Sequence, residues 1–269
     1  MKKDISVLTI AGSDSIAGAG IQADIKTISA LGLYACSCIT SVTAQNTLGV
    51  KNIQAIDNNI VSQQIDAVFG DVKISAVKIG MIYTKENVMA IKQSLLSNNY
   101  NGHIVLDPVL VATSGDSLAK EDFLSTLKKE LFPLCSLLTP NIHEAEKISN
   151  CKINTVEDMV KCGQSIIKEY NVKNVLIKGG HSNTEDMTDV LVYENMTYDT
   201  FSAKKIISKN THGTGCTLSS AIASYLAMGN TLKESVKQAK EYVYQAILFA
   251  KDNTMFSGHG ALEHFYKIK

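Results

Sequence analysis

Thr211, His212, Gly213, Thr214, Gly215 and Cys216 combine, in six consecutive positions, the residue types needed to hold an anion and to move a proton. Two glycines two apart lead into Leu218, Ala221, Ile222, Tyr225 and Leu226, whose spacing puts one apolar face on a helix from Thr217 onward. Glycines let the backbone turn its N–H groups inward. A helix start leaves further N–H donors free, at a partial positive charge. Together they make an anion hole for a phosphate, or for charge that grows during phosphoryl transfer. Cys216 lies at that positive end, where the thiolate is favoured and the thiol pKa is expected to fall. His212, alone and immediately before the glycines, is expected to pack or to bond to backbone rather than to catalyse.

The rest of the chain must position these groups. Short apolar, β-branched runs at 7–10, 76–79, 103–106, 136–139 and 175–178 alternate with helix-period segments. Ile21, Ile25, Ile28 and Leu31 mark one helical face; Val88, Ile91, Leu95 and Leu96 mark another; Met159, Val160, Ile166 and Ile167 mark a third. This β–α alternation predicts a mostly parallel sheet with helices on both faces. Residues 189–193 and 196–201 read as an antiparallel pair turning at Glu194 and Asn195. Gly229 and Asn230 stop one helix before another at 232–250. No linker, repeat or charge block divides the chain, so residues 1–269 are expected to form one domain. In such sheets ligands bind beyond the carboxyl ends of the strands.

Composition narrows the function classes. The formal net charge is zero and 45% of residues are hydrophobic, which gives no electrostatic footprint for nucleic acid or an anionic membrane. No apolar run approaches the roughly 20 residues that span a bilayer. Gly12, Ser13 and Asp14 interrupt the first apolar run at once, so it reads as a buried strand rather than a signal peptide, and a cytoplasmic location is expected. The six cysteines show no CxxC spacing and are expected to be reduced; Cys36, Cys38 and Cys135 lie in apolar surroundings and read as inert core.

The other polar clusters each admit two readings. The loop from Gly12 to Gly20 is glycine-rich, but no Lys-Ser/Thr follows it and it does not match GxGxxG. It is a flexible loop beside a site or an ordinary βα turn. Asp24 is either a site residue or a solvated, dipole-stabilising acid. Gln45 offers a donor and an acceptor suited to the edge of a heteroaromatic ring, or is a turn amide. Asn141 and Glu144, three apart after Pro140, form either a capping box or part of an oxygen-rich Mg²⁺ site that keeps several waters. Lys178 ends a strand ahead of Gly179, Gly180 and His181, and reaches phosphate or solvent. Asp107, before Pro108, holds water or metal, or caps a turn.

The set as a whole resembles the ribokinase-like superfamily and, within it, the hydroxymethylpyrimidine/phosphomethylpyrimidine kinases of thiamine biosynthesis. The resemblance rests on LTIAGSD from Leu8, AGAGIQADIKT from Ala17, TAQNT from Thr43, KIGM from Lys78, DPV from Asp107, TPNIHEA from Thr139, KGGH from Lys178 and HGTGCT from His212. It implies a three-layer α/β/α fold and ATP·Mg²⁺-dependent phosphorylation of a pyrimidine alcohol, then of its monophosphate. By resemblance Gln45 bonds the aminopyrimidine edge, and Asp24, Met81, Gly12 and Val109 line the same pocket. Lys178, Asn141 and Thr211 serve ATP. Asn141, Glu144 and Asp107 organise Mg²⁺, in part through water. Gly213, Thr214 and Gly215 face the phosphates, with Cys216 as proton acceptor; a homodimer is also implied. Ile16, Ala17, Leu110 and Ala261 depart from the usual pattern without removing a polar site residue. A pyridoxal kinase and a non-catalytic ligand-binding protein on the same fold are the competing readings; Gln45 speaks against the first, and retention of Cys216, Lys178, Asn141 and Glu144 against the second.

Overall fold

A computed structural model describes residues 4–110, 121–180 and 186–267. Its centre is a nine-stranded sheet in the order β3-β2-β1-β4-β5-β6-β7-β8-β9. The strands are β1 (Ser6–Asp14), β2 (Tyr34–Asn46), β3 (Gly49–Ala55), β4 (Ala76–Ile79), β5 (His103–Leu106), β6 (Leu137–Leu138), β7 (Asn174–Ile177), β8 (Asp186–Tyr193) and β9 (Tyr198–Lys204). From β2 to β7 neighbours run parallel; β3, β8 and the β8–β9 pair are antiparallel. Leu8 and Ile10 point to one face and Val7 to the other, all with no exposure, as a two-sided buried strand requires. Burying each such side chain contributes about 1.5–3 kcal/mol.

Two apolar cores cover the two faces. One packs α2 (Asn58–Asp71), α3 (Lys85–Ser97), α4 (Glu121–Glu130), α5 (Ile142–Ser149) and α6 (Val156–Tyr170); the other packs α1 (Gly20–Ala30), α7 (Thr214–Ala227) and α8 (Leu232–Ala250). This is the three-layer α/β/α architecture expected. Helix starts are fixed locally: Thr84, Thr155 and Thr231 each accept a bond from the backbone N–H three residues on. Among the described residues no helix is long and apolar enough to cross a membrane.

Several boundaries differ from the sequence reading. β1 extends to Asp14, so Gly12 and Ser13 belong to the strand; a bulge between Ala11 and Ser13 lets the pairing with β2 continue. The edge hairpin partner β3 and helix α2 carry too weak an apolar pattern to stand out: only Val61 and Ile65 of α2 are buried. β9 begins two residues late because Met196 takes a left-handed φ of 67° in the turn, with its N–H bonded to the Tyr193 carbonyl. α7 begins at Thr214, so Gly215 and Cys216 sit in its first turn. His181 lies outside the described residues.

Candidate active site

The carboxyl ends of β1, β2, β4 to β7 and β9, with the amino end of the antiparallel β8, open on one cavity of about 890 Å³. Strand order lays out its wall. Gly12, Thr43, Gln45 and Met81 line the end over β2, β1 and β4. Asp107, Asn141 and Lys178 follow over β5 to β7. Met187 and Asp189 of β8, then Ile206, Val243 and Ile247 beyond β9 and on α8, form the far end. Val109, Glu144, Thr211, Gly213, Thr214, Gly215 and Cys216 also line the cavity. Thirteen of the fourteen residues expected at the site thus meet in one cavity, with one exception.

That exception is Asp24, which lies beneath the cavity, fully buried. Its Oδ1 and Oδ2 take bonds of 2.9 and 2.8 Å from Lys78 Nζ, 2.6 Å from Thr9 Oγ1 and 2.7 Å from Ser220 Oγ. It is a buried ion-pair partner, neither a solvated acid nor a pocket wall. Burial alone would lower the Lys78 pKa, but the Asp24 carboxylate, with Cys216 and Asp107 beyond it, holds it above the usual lysine value. The sequence carried no sign that Lys78 is buried and paired, because only the packing of α7 on β4 and of α1 on the neighbouring β1 removes it from water.

The anion hole has its expected backbone. Gly213 caps α7 at a φ of +85°, and a Cβ there would collide with the Gly18 carbonyl. At Gly215 a Cβ would stand 3.3 Å from both Asp107 Oδ2 and Lys178 Nζ, so the missing side chain lets the helix start approach both charged groups. Lys178 Nζ bonds Asp107 Oδ1 at 2.7 Å, and Thr139 Oγ1 reaches the same oxygen at 3.2 Å. Burial opposes the charge on Lys178, and the carboxylates of Asp107 and Glu144 override it, so its pKa stays raised.

The expectation for Cys216 needs correction. Desolvation dominates its environment and pushes the thiol up to about 11; Lys78 pulls it down, while Asp24 and Asp107 push it further up. The thiol is therefore protonated at neutral pH, helix N-terminus notwithstanding. The sequence could not show that the positive end would be sunk among carboxylates. Cys36, Cys38 and Cys135 are buried thiols with raised pKa values, as inert core cysteines should be.

Asn141 and Glu144 do form the capping box. Glu144 N–H donates to Asn141 Oδ1 at 2.9 Å and Asn141 N–H to Glu144 Oε2 at 2.8 Å. Burial raises the Glu144 pKa to about 7, with Lys178 opposing and Asp107 reinforcing. His212, expected only to pack, is buried in the cavity wall, its Nε2 2.9 Å from Asp14 Oδ2 and 3.4 Å from the Gln45 amide. Asp14 also takes bonds from the N–H groups of Ile16, Gly18 and Ala19 and so shapes the first loop, in which Ala17 holds a left-handed φ of 59°. Its position next to the glycines was the available hint.

A donor-rich helix start, an ion-paired lysine and two carboxylates on one rim of an α/β/α sheet define a phosphoryl-transfer enzyme. The phosphomethylpyrimidine kinase family model matches residues 14–263. A hydroxymethylpyrimidine/phosphomethylpyrimidine kinase of Rhizobium meliloti is 44% identical over 97% of this chain and 97% of its own length. A bifunctional thiamine biosynthesis protein of Geobacter sulfurreducens is also 44% identical over 96% of the chain, which spans 52% of that longer protein. Among solved structures, phosphomethylpyrimidine kinase from Clostridium difficile superposes with a TM-score of 0.80 at 44% identity, over 90% of this chain and 99% of its own. Staphylococcus aureus pyridoxal kinase in complex with AMP-PCP and pyridoxal gives 0.85 at 30% identity, over 98% and 94%. The chain belongs to the phosphomethylpyrimidine kinase family. It is a kinase, with ATP as co-substrate.

Proposed function

We propose that this chain phosphorylates 4-amino-5-hydroxymethyl-2-methylpyrimidine with ATP, and then its monophosphate to the diphosphate, in thiamine biosynthesis. The observation that carries this reading is the meeting of Gln45, Met81, Lys178 and the Gly213–Cys216 turn in one cavity. The flat pyrimidine occupies the end formed by Gly12, Gln45, Met81 and Val109. The nucleotide base takes the apolar end at Ile206, Val243 and Ile247, with Thr211 and Asn141 between them. The transferred phosphoryl group then lies over Gly213, Thr214 and Gly215, whose N–H groups meet the charge that develops on its oxygens. Lys178 adds positive charge at the same point.

The donors of Asp107, Glu144 and Asn141 are all oxygen, which fits Mg²⁺. Two of those oxygens are already engaged in the capping box, so these residues would hold the ion largely through its waters. Mg²⁺ supplies charge neutralisation on the phosphate oxygens. Cys216 accepts the alcohol proton; a thiol near pKa 11 is a strong base once ionised and a scarce one at neutral pH. Loss of the thiol therefore removes turnover rather than pyrimidine binding. Homodimer formation and a cytoplasmic location belong to the same reading.

ATP consumption measured side by side with hydroxymethylpyrimidine and pyridoxal tests the assignment. Preference for the aminopyrimidine is expected. Preference for pyridoxal would make this a pyridoxal kinase, and no ADP release with either would leave a ligand-binding protein.

A further inference from the structure

Gln45 sits at the cavity wall with its backbone locked: its N–H donates to Ser15 Oγ at 2.9 Å, and Ser15 Oγ donates to its carbonyl at 2.6 Å. What remains free to turn is the amide, whose oxygen and nitrogen have the same shape and are told apart only by their partners. Four contacts decide the matter. Asp14 carries a charge: burial opposes it, but bonds from His212, Ala19 and Ile16 hold its pKa below the ordinary carboxylate value. A carboxylate only accepts, so the 2.9 Å contact with His212 requires a proton on Nε2. An Nε2–H cannot accept from a second N–H, so the amide nitrogen placed 3.4 Å from it has no bond to make there; an amide oxygen in its place would share the Nε2–H with Asp14 as a second acceptor. At the other side, Thr43 Oγ1 spends its one proton on the Ser13 carbonyl at 3.0 Å. With that proton engaged it has none for the amide oxygen placed 3.2 Å away, whereas an amide nitrogen in that place would donate to Oγ1. Both contacts demand the same orientation.

We propose that His212 is a positioning residue that sets the direction of the Gln45 amide, and thereby which way round the pyrimidine docks. This rests on Gln45 as the reader of the pyrimidine edge. As placed, the amide has its nitrogen on the His212 side and its oxygen on the Thr43 side; these partners call for the flipped amide, with the oxygen towards His212 and the nitrogen towards Thr43. The substrate's exocyclic amine donates and its neighbouring ring nitrogen accepts, so the amine must face the His212 side. The hydroxymethyl group is bonded to the ring carbon next to the amine. It therefore falls further along the same direction, at Gly213 to Cys216, which follow His212 in the chain. The reverse orientation would carry the alcohol away from the anion hole. In pyridoxal the group beside the hydroxymethyl is a carbonyl, an acceptor that would meet the Gln45 oxygen. The same device disfavours that substrate.

His212→Leu removes the N–H and frees the amide to turn. For hydroxymethylpyrimidine we expect KM to rise roughly tenfold, the scale of one hydrogen bond, and the preference over pyridoxal to fall by a similar factor. His212→Gln keeps an N–H donor for Asp14 and should recover most of the loss. In a Gln45→Leu background, His212→Leu should change KM by less than twofold. An equal rise in both backgrounds would make His212 a merely structural residue and overturn the inference. A normal KM in His212→Leu alongside a raised one in Gln45→Leu would sink the inference and spare the reading of Gln45; a normal KM in Gln45→Leu would sink both. Should the leucine variant fail to fold, long-range ¹H–¹⁵N spectra of the wild-type imidazole decide the point. A protonated Nε2 is expected, and an unprotonated one would overturn the assignment.

Discussion

Removal of the Lys78 ammonium should not cost the same as removal of its partner. The two side chains are both at 0% exposure and their closest approach is 2.8 Å. Breaking such a pair from one side leaves a buried charge and typically costs about 3–5 kcal/mol. The structure predicts an asymmetry. In Lys78→Met the Asp24 carboxylate keeps two hydrogen bonds, from Thr9 and Ser220, so the loss should fall near the lower figure. In Asp24→Leu the ammonium loses both Asp24 oxygens at once, and the substitution should cost the upper figure or more. The double variant replaces both charges with apolar groups and should recover about 2 kcal/mol or more relative to the sum of the singles. The chain has no tryptophan, so urea unfolding is best followed by far-ultraviolet circular dichroism. Strict additivity, or a Lys78→Met loss below about 1 kcal/mol, would show that the pair is not the buried, mutually dependent unit described.

Other outcomes follow from the same geometry. With the Cys216 thiol near 11, log kcat/KM should climb with pH across the neutral and mildly alkaline range without a plateau; a plateau near pH 8 would mean a lower-pKa base, and Cys216→Ala should abolish most turnover while pyrimidine affinity stays within about threefold. Glu144 has a folded pKa near 7, above its unfolded value. Its neutral form is the one the fold favours, so its contribution to stability is complete below the unfolded pKa and fades as pH rises towards 7 and through it. Glu144→Gln should flatten that part of the stability–pH curve, and an unchanged slope would assign it elsewhere. Asn141→Ala removes an N-cap acceptor and should lower stability by about 1 kcal/mol, read from the urea midpoint; no loss would show that the capping bond is not formed in solution.

Much of this could be read from the residues because it depends on near neighbours. The helix faces through Ile28 and Ile166, the strand at 76–79 and the Gly213–Cys216 turn are all set by periodicity and local backbone freedom. The choice between a capping box and a metal role for Asn141 and Glu144 was left open by spacing, and the bonds between them supplied the answer for the cap. The groups misread were those whose character comes from distant partners. Asp24 meets Lys78 across 54 positions, and His212 meets Asp14 across 198. Neither pairing has a local signature, because the crossovers of a parallel sheet bring those segments together.

Cys216 shows the division most clearly. Sequence by itself determined that a thiol stands at a glycine-lined helix start, since both depend on consecutive residues. Only the tertiary structure decided its protonation, because desolvation and the neighbouring Asp24 and Asp107 outweigh the helix end and Lys78. A pKa responds to every charge and every excluded water within several ångströms, and chain order does not record those distances.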